Sequence, residues 1–223
     1  DLLLSDGTSV LGADNKSAIA NIMTALHIIV EEGRPHGDIY VAFVPDEEIG
    51  LCGAKKIDFS KFPVDFAYMI DSCELGEIVW QTFNAGSAWV DIQGITAHPM
   101  SSKGQLLNPI LVAHDFIGML DRGQTPEFTE KTEGFVWVNG IQGGPAKCRV
   151  SLKLRDHSLK RYEEKKTLIR AIVDCLRVRY PRAKINLTIE DVYGNIADAI
   201  KPENSACIDM LRRAMEIEHV TVK

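Results

Sequence analysis

The sequence predicts an α/β chain whose first layer, residues 1–83, is interrupted by an inserted α+β domain over 84–189 and resumed over 190–223. Three observations carry this. Two short β-branched, apolar runs near the start each end on acidic residues. Four later runs alternate apolar with polar residues. Helical spacing fills the segments between them.

Residues 15–32 (NKSAIANIMTALHIIVEE) place Ile19, Ile22, Met23, Leu26, Ile29 and Val30 on one helical face, and Gly33 and Pro35 close the helix. DIYVAFVP, residues 38–45, has the continuous apolar character of a strand buried on both faces, and it delivers Asp46, Glu47 and Glu48 at its end. FAYMID, residues 66–71, is a second such run ending on Asp71. Ligands of open α/β sheets bind at those carboxyl ends.

Beyond residue 84 the texture changes to SAWVDIQGI, GFVWVNGI, CRVSLKLRD and KINLTIEDV as strands, with helices over NPILVAHDFIGML and YEEKKTLIRAIVDCLRVRY. The resulting order, βαββαβ, is that of a split βαβ sandwich with its helices on one face. PENSACIDMLRRAMEIEH is helical again and is expected to return to the first domain.

Composition bounds the function. Hydrophobic residues make up 45% of the chain, enough for a packed interior. A net charge of -6 argues against a nucleic-acid partner, which calls for a concentrated basic surface. The basic run over 160–182 is broken by Glu163, Glu164 and Asp174 and reads as a solvated amphipathic helix. No apolar stretch approaches the roughly 20 residues that span a bilayer, so a soluble, cytoplasmic protein is expected. The opening DLLLSDGTSVLG lacks the pattern of a signal peptide and reads like a chain entered partway. The five cysteines, Cys52, Cys73, Cys148, Cys175 and Cys207, lack paired C-x-x-C spacing and are expected to be reduced, buried thiols, with Cys73 set apart by its nearness to Asp71.

Adjacent carboxylates such as Glu47 and Glu48 repel one another at a buried strand end, and a divalent cation relieves that repulsion. With Asp14 and Asp71 they suit a site in which two metals share an activated water. On spacing alone, ordinary acidic surface loops account for the same residues more readily.

The wording of the motifs shifts that balance. GADNKSAIA, PHGDIYVAFVPDEEIG, YMIDSCELGEI with TFNAG, ITAHP, SSKGQLLN, PEFTEKTEGF, the LRD of SLKLRDH, and DVYGNI resemble, in order, the landmarks of the peptidase T family of tripeptide aminopeptidases. That family sits within the co-catalytic zinc exopeptidases that include carboxypeptidase G and aminoacylase. The resemblance implies a partial zinc-exopeptidase α/β domain with an inserted lid, and two zinc ions per complete site. It implies that Asp14 bridges the zincs, Glu48 binds one, Asp71 binds the other, and Glu47 is the general base acting on the metal-bound water. It also implies that His98 steadies the oxyanion. Arg155 is a candidate for the peptide's terminal carboxylate, with a strand-end ion pair as its plainer role. Asn108 is a candidate for polar contact with substrate, with a helix N-cap before Pro109 as its plainer role.

Two departures qualify this. Asn15 stands where the family has a second acid, and Ser72 and Cys73 replace the glycines expected after the third ligand. The family's His-x-Asp element belongs before the GAD segment, whereas His36-Gly37-Asp38 follows it; His27, His114, His157 and His219 are assigned no metal role. Lacking an imidazole for either zinc, the chain is expected to be a fragment that binds zinc poorly and hydrolyses little; strands missing from the α/β layer would expose sheet edge and apolar surface, so a homo-oligomer is expected. Three readings stay open: a zinc aminopeptidase acting on short peptides, a non-catalytic peptide-binding or association module, and a zinc dipeptidase or N-acyl amino acid hydrolase.

Overall fold

A computed structural model describes residues 4–72 and 74–223, so the special position proposed for Cys73 lies outside the described residues. The chain divides into two compact units, residues 1–79 with 201–223, and residues 80–200.

The second unit is built on a four-stranded antiparallel sheet in the order β2-β3-β1-β4. Its elements follow as β1 (Asn84–Gln93), α2 (Pro109–Gly118), β2 (Phe135–Gly143), β3 (Lys147–Asp156), α3 (Leu159–Arg179) and β4 (Lys184–Tyr193). This is the βαββαβ order read from the alternation. The register sets Val90 of β1 against Val150 of β3 and Leu187 of β4, and β2 joins β3 through a tight connection in which the Gly144 amide donates to the Lys147 carbonyl.

Period-two side-chain alternation explains how the sheet takes helices on one face only. Ala88, Val90 and Ile92 of β1 and Cys148, Val150, Leu152 and Leu154 of β3 are buried together with Val112, Phe116, Ile169, Val173 and Leu176 of the two helices. The intervening Arg149, Ser151, Lys153 and Arg155 therefore project from the opposite, open face. Asn108 caps α2 by accepting a hydrogen bond from the Ile110 amide, and Pro109 occupies the first helical position.

Helix α3 departs from the solvated reading of its basic run. Lys165 and Lys166 are buried, the first paired with Asp156 and the second with Glu163 and Asp191. Their stems pack between helix and sheet while each ammonium meets a carboxylate, an arrangement that charge counting along the run does not reveal.

The first unit contains α1 (Ala13–Glu31), a 3-10 turn over Ala54–Lys56 and α4 (Ala206–Ile217). The expected strands at 38–45 and 66–71 form no ladder among the described residues. Apolar content measures how well a segment tolerates burial, whereas a strand exists only where a neighbour supplies hydrogen bonds. Val41, Phe43, Met69 and Ile70 are accordingly exposed. Of the described cysteines, only Cys148 is buried; Cys52 and Cys207 are half-buried and Cys175 is exposed, so the expectation of buried thiols holds at one position.

Candidate active site

In the first unit, the local sequence GADNK sets up the entry to α1. Gly12 adopts a left-handed conformation with φ 72°, which glycine takes without a Cβ clash. Asp14 and Asn15 have non-helical backbone angles, and the Asp14–Asn15 peptide is cis. Asn15 then performs two tasks. Its Oδ1 accepts from the Ala18 amide at 3.2 Å, capping the regular helix, and its Nδ2 donates to the Ile70 carbonyl at 2.7 Å and to Asp71 Oδ1 at 3.1 Å. One amide thus ties the GADN segment to the end of the YMID segment.

Glu47 and Glu48 lie in a turn in which the Glu47 carbonyl accepts from the amides of Gly50 and Leu51. Asp46, just before them, has a positive φ of 62°. Asp14, Glu47, Glu48 and Asp71 are all exposed. Asn15 brings Asp71 beside the Asp14 segment, but among the described residues no three His, Cys, Asp or Glu side chains gather closely enough to hold a metal ion. His36 Nδ1 contacts the carbonyl of its neighbour Gly37, and His27 pairs with Glu31 on α1.

The three remaining candidates lie in the second unit. Exposed His98 heads a 3-10 turn over Pro99–Ser101, where its Nδ1 accepts from the Met100 amide at 3.3 Å. That bond places the ring proton on Nε2, leaving a donor available. Asn108 spends its Oδ1 on the α2 cap and keeps its amide NH₂. Arg155 makes no ion pair among the described residues, which replaces its plainer strand-end reading. Its Nη1 donates to the carbonyls of Gly86 at 3.1 Å and Leu154 at 2.7 Å, and its guanidinium carbon lies 5.4 Å from the centroid of the Phe83 ring.

A concavity of about 910 Å³ lies around the β2–β3 connection, at the end of this sheet away from Arg155, and is lined by Gly143, Gly144, Lys147 and the Asp91–Arg149 ion pair. Gly94 bonds Ala146 and Ile95 pairs with Leu107, so the Asn108 segment adjoins the concavity's end of the sheet, whereas Arg155 lies at the other end. Among the described residues, no helix is long and apolar enough to cross a membrane.

Residues 81–184 match the family model of the peptidase dimerisation domain, M20_dimer. Over this segment the chain is similar to M20 peptidase dimerisation domains. Nearly the whole chain is similar to peptidase T proteins. A peptidase T-like protein of Yersinia pestis is 48% identical over 215 residues, covering 96% of this chain and 52% of that relative. Peptidase T of Alkaliphilus oremlandii is 41% identical over 221 residues, 99% of this chain and 54% of its own length. Among solved structures, aminopeptidase PepT from Bacillus cereus superposes with a TM-score of 0.84 at 21% identity, covering 99% of this chain and 58% of that one. A tripeptidase from Staphylococcus aureus gives 0.79 at 24%, covering 98% and 59%. These structural matches establish the fold. The chain spans about half the length of the curated relatives it matches.

The motif reading missed Asn15 as an organising residue and noted it only as a replaced acid. The available signal was positional: an Asn immediately before a helical run is a favoured N-cap. Phe83 and Asn195 were also passed over, although TFNAG and DVYGNI contain them. Their contacts span too much sequence to be read locally.

Proposed function

We propose that the protein is a metal-dependent aminopeptidase that removes the N-terminal residue from short peptides, tripeptides in particular. The observation that carries this reading is the similarity to peptidase T proteins along nearly the entire chain, at 41% identity over 221 residues for one relative. In this reading zinc is the metal, Asp14, Glu48 and Asp71 are its ligands, and Glu47 is the carboxylate that holds the transferred proton. Bound metal would supply a polarised water for attack on the peptide carbonyl.

As placed, the side chains do not fit a closed two-metal centre. Three carboxylates provide oxygen donors, and the Asn15 bridge holds Asp71 by the segment of Asp14, but a zinc normally takes about three protein ligands. The support for metal binding is thus the donor chemistry and the kinship. In the dimerisation domain, His98 offers its Nε2–H as a donor to developing negative charge, Asn108 its side-chain NH₂, and Arg155 its unused guanidinium edge to a substrate carboxylate. A homodimer held through this domain completes the reading.

The test is release of the N-terminal residue from a tripeptide by the full-length protein that carries this sequence, with and without a chelator, alongside Glu47→Gln. Chelator-sensitive release that the substitution abolishes is expected. Absence of release, or release indifferent to chelation, overturns the proposal.

A further inference from the structure

Strand β3 ends on Arg155 and Asp156, with His157 in the bend that follows, and the fate of Asp156 decides what its two neighbours can do. Asp156 is fully buried on the helix side of the sheet, where it accepts from Lys165 Nζ at 2.8 Å, Arg161 Nε at 3.1 Å and the Ser158 amide at 2.8 Å. Its charge is fully engaged there. Arg155, pointing the other way, keeps a guanidinium without a carboxylate partner among the described residues.

His157 shares with Arg155 one aromatic surface. The Phe83 ring carries the Arg155 guanidinium at 5.4 Å and meets the His157 ring edge-on at 5.9 Å, with Tyr193 at 5.8 Å completing the cluster. His157 lies in the bend that follows the strand, and its contact with the Phe83 ring brings it beside Arg155 there. His157 Nδ1 is buried with no hydrogen-bond partner among the described residues. Placing the ring proton on Nε2 avoids a buried N–H without an acceptor and leaves Nε2 as a donor.

The placement is rigid. Two buried asparagines lock the backbone around it: Asn195 Nδ2 donates to the His157 carbonyl at 2.8 Å, Asn84 Nδ2 donates to the Asp156 carbonyl at 3.2 Å, and the Asn195 amide donates to Asn84 Oδ1 at 3.1 Å. Asn195 Oδ1 also accepts from the Thr82 amide beside Phe83. Groups fixed this way hold their geometry before a ligand arrives.

We propose that His157 is a specificity residue acting with Arg155, its Nε2–H and the free guanidinium edge together receiving the terminal carboxylate of a short peptide. The proposal rests on the peptide-substrate reading above and adds to it a residue to which the sequence assigned no role. Arg155 supplies charge and a planar fork; His157 supplies one directed hydrogen bond and the wall that orients the fork over Phe83.

The experiment is calorimetric binding of a tripeptide and of the same tripeptide as its C-terminal amide to the full chain, to His157→Phe and to His157→Gln. Phe preserves the ring packing on Phe83 and removes the donor; Gln preserves a donor and removes the ring. The unaltered chain is expected to prefer the free acid. His157→Phe should weaken acid binding about tenfold and leave amide binding unchanged, while His157→Gln stays within about threefold of the unaltered chain. Equal weakening of acid and amide, undiminished acid preference in His157→Phe, the reverse pattern in which Phe is tolerated and Gln is not, or no peptide binding by the unaltered chain each overturns the assignment. Hydrolysis measured in parallel separates the two proposals. Acid-selective binding that depends on His157, without hydrolysis, removes the peptidase reading alone; hydrolysis indifferent to His157 removes this one alone.

Discussion

Asp156 and Lys165 form a 2.8 Å ion pair in which the carboxylate is fully buried and the lysine side chain only 9% exposed. Withdrawing both charges from water is costly, and the pair persists because Arg161 and the Ser158 amide satisfy the remaining lone pairs of the carboxylate. It fastens the end of β3 to the second turn of α3.

Removing one partner leaves the other charge buried. Lys165→Met is therefore expected to cost about 3–5 kcal/mol, read as a lowered urea midpoint for the inserted domain. Lys160→Met, on the exposed face of the same helix, should be nearly neutral.

The same contacts set a pH dependence. Burial pushes the Asp156 carboxyl upward, but the Lys165 hydrogen bond, the Ser158 amide and Arg161 together outweigh it and hold the group below the ordinary carboxylate value. Asp191 is lowered too, chiefly by the Tyr162 hydroxyl. A carboxyl that binds its proton more weakly in the folded state than in the unfolded one stabilises the fold at pH values above the unfolded pKa, about 3.9. That contribution is lost as pH falls below about 4, through the folded-state value. Thermal midpoints measured from pH 7 to pH 3 should fall at the acid end, and Asp156→Asn should start lower and show a shallower fall.

Gly86 lies where β1 passes beneath α3, and a Cβ there would overlap the Tyr162 hydroxyl, which donates to Asp191 at 2.5 Å. Gly86→Ala is expected to cost about 1–3 kcal/mol, because the obstacle is the anchored end of a buried ring. Gly140→Ala, whose added carbon would meet only Ser151 at ordinary contact distance, should be close to neutral by the same denaturation measurement.

Asn15→Ala removes both the α1 cap and the contact with Ile70 and Asp71. A loss of about 0.5–2 kcal/mol in the first unit is expected, as for other N-caps. Asn15→Asp should keep the cap and lose the contact with Asp71, since a carboxylate cannot donate; amide exchange around residues 70–71 distinguishes the two variants.

Much of the fold was legible in local pattern. SAWVDIQGI and CRVSLKLRD alternate so regularly that both their strand character and their buried face follow from the residues themselves. The same logic failed for DIYVAFVP and FAYMID, since apolar content does not supply a ladder partner. Motif wording singled out Asp14, Glu47, Glu48 and Asp71 only as candidates, whereas the N-cap role of Asn108 followed from the Asn-Pro pair.

The sequence by itself determined the βαββαβ order, the presence of the helices and the similarity to peptidase T, because periodicity, capping residues and motif wording are properties of neighbours in the chain. Only the tertiary structure decided that Asp156 is spent on Lys165, that Asn15 holds Asp71, and that Arg155 and His157 both contact the Phe83 ring. These relationships join segments 56 residues apart at Asn15 and Asp71 and 111 apart at Asn84 and Asn195. Such partners are selected by the packing of the whole domain, which brings together groups whose local surroundings hold no mark of one another.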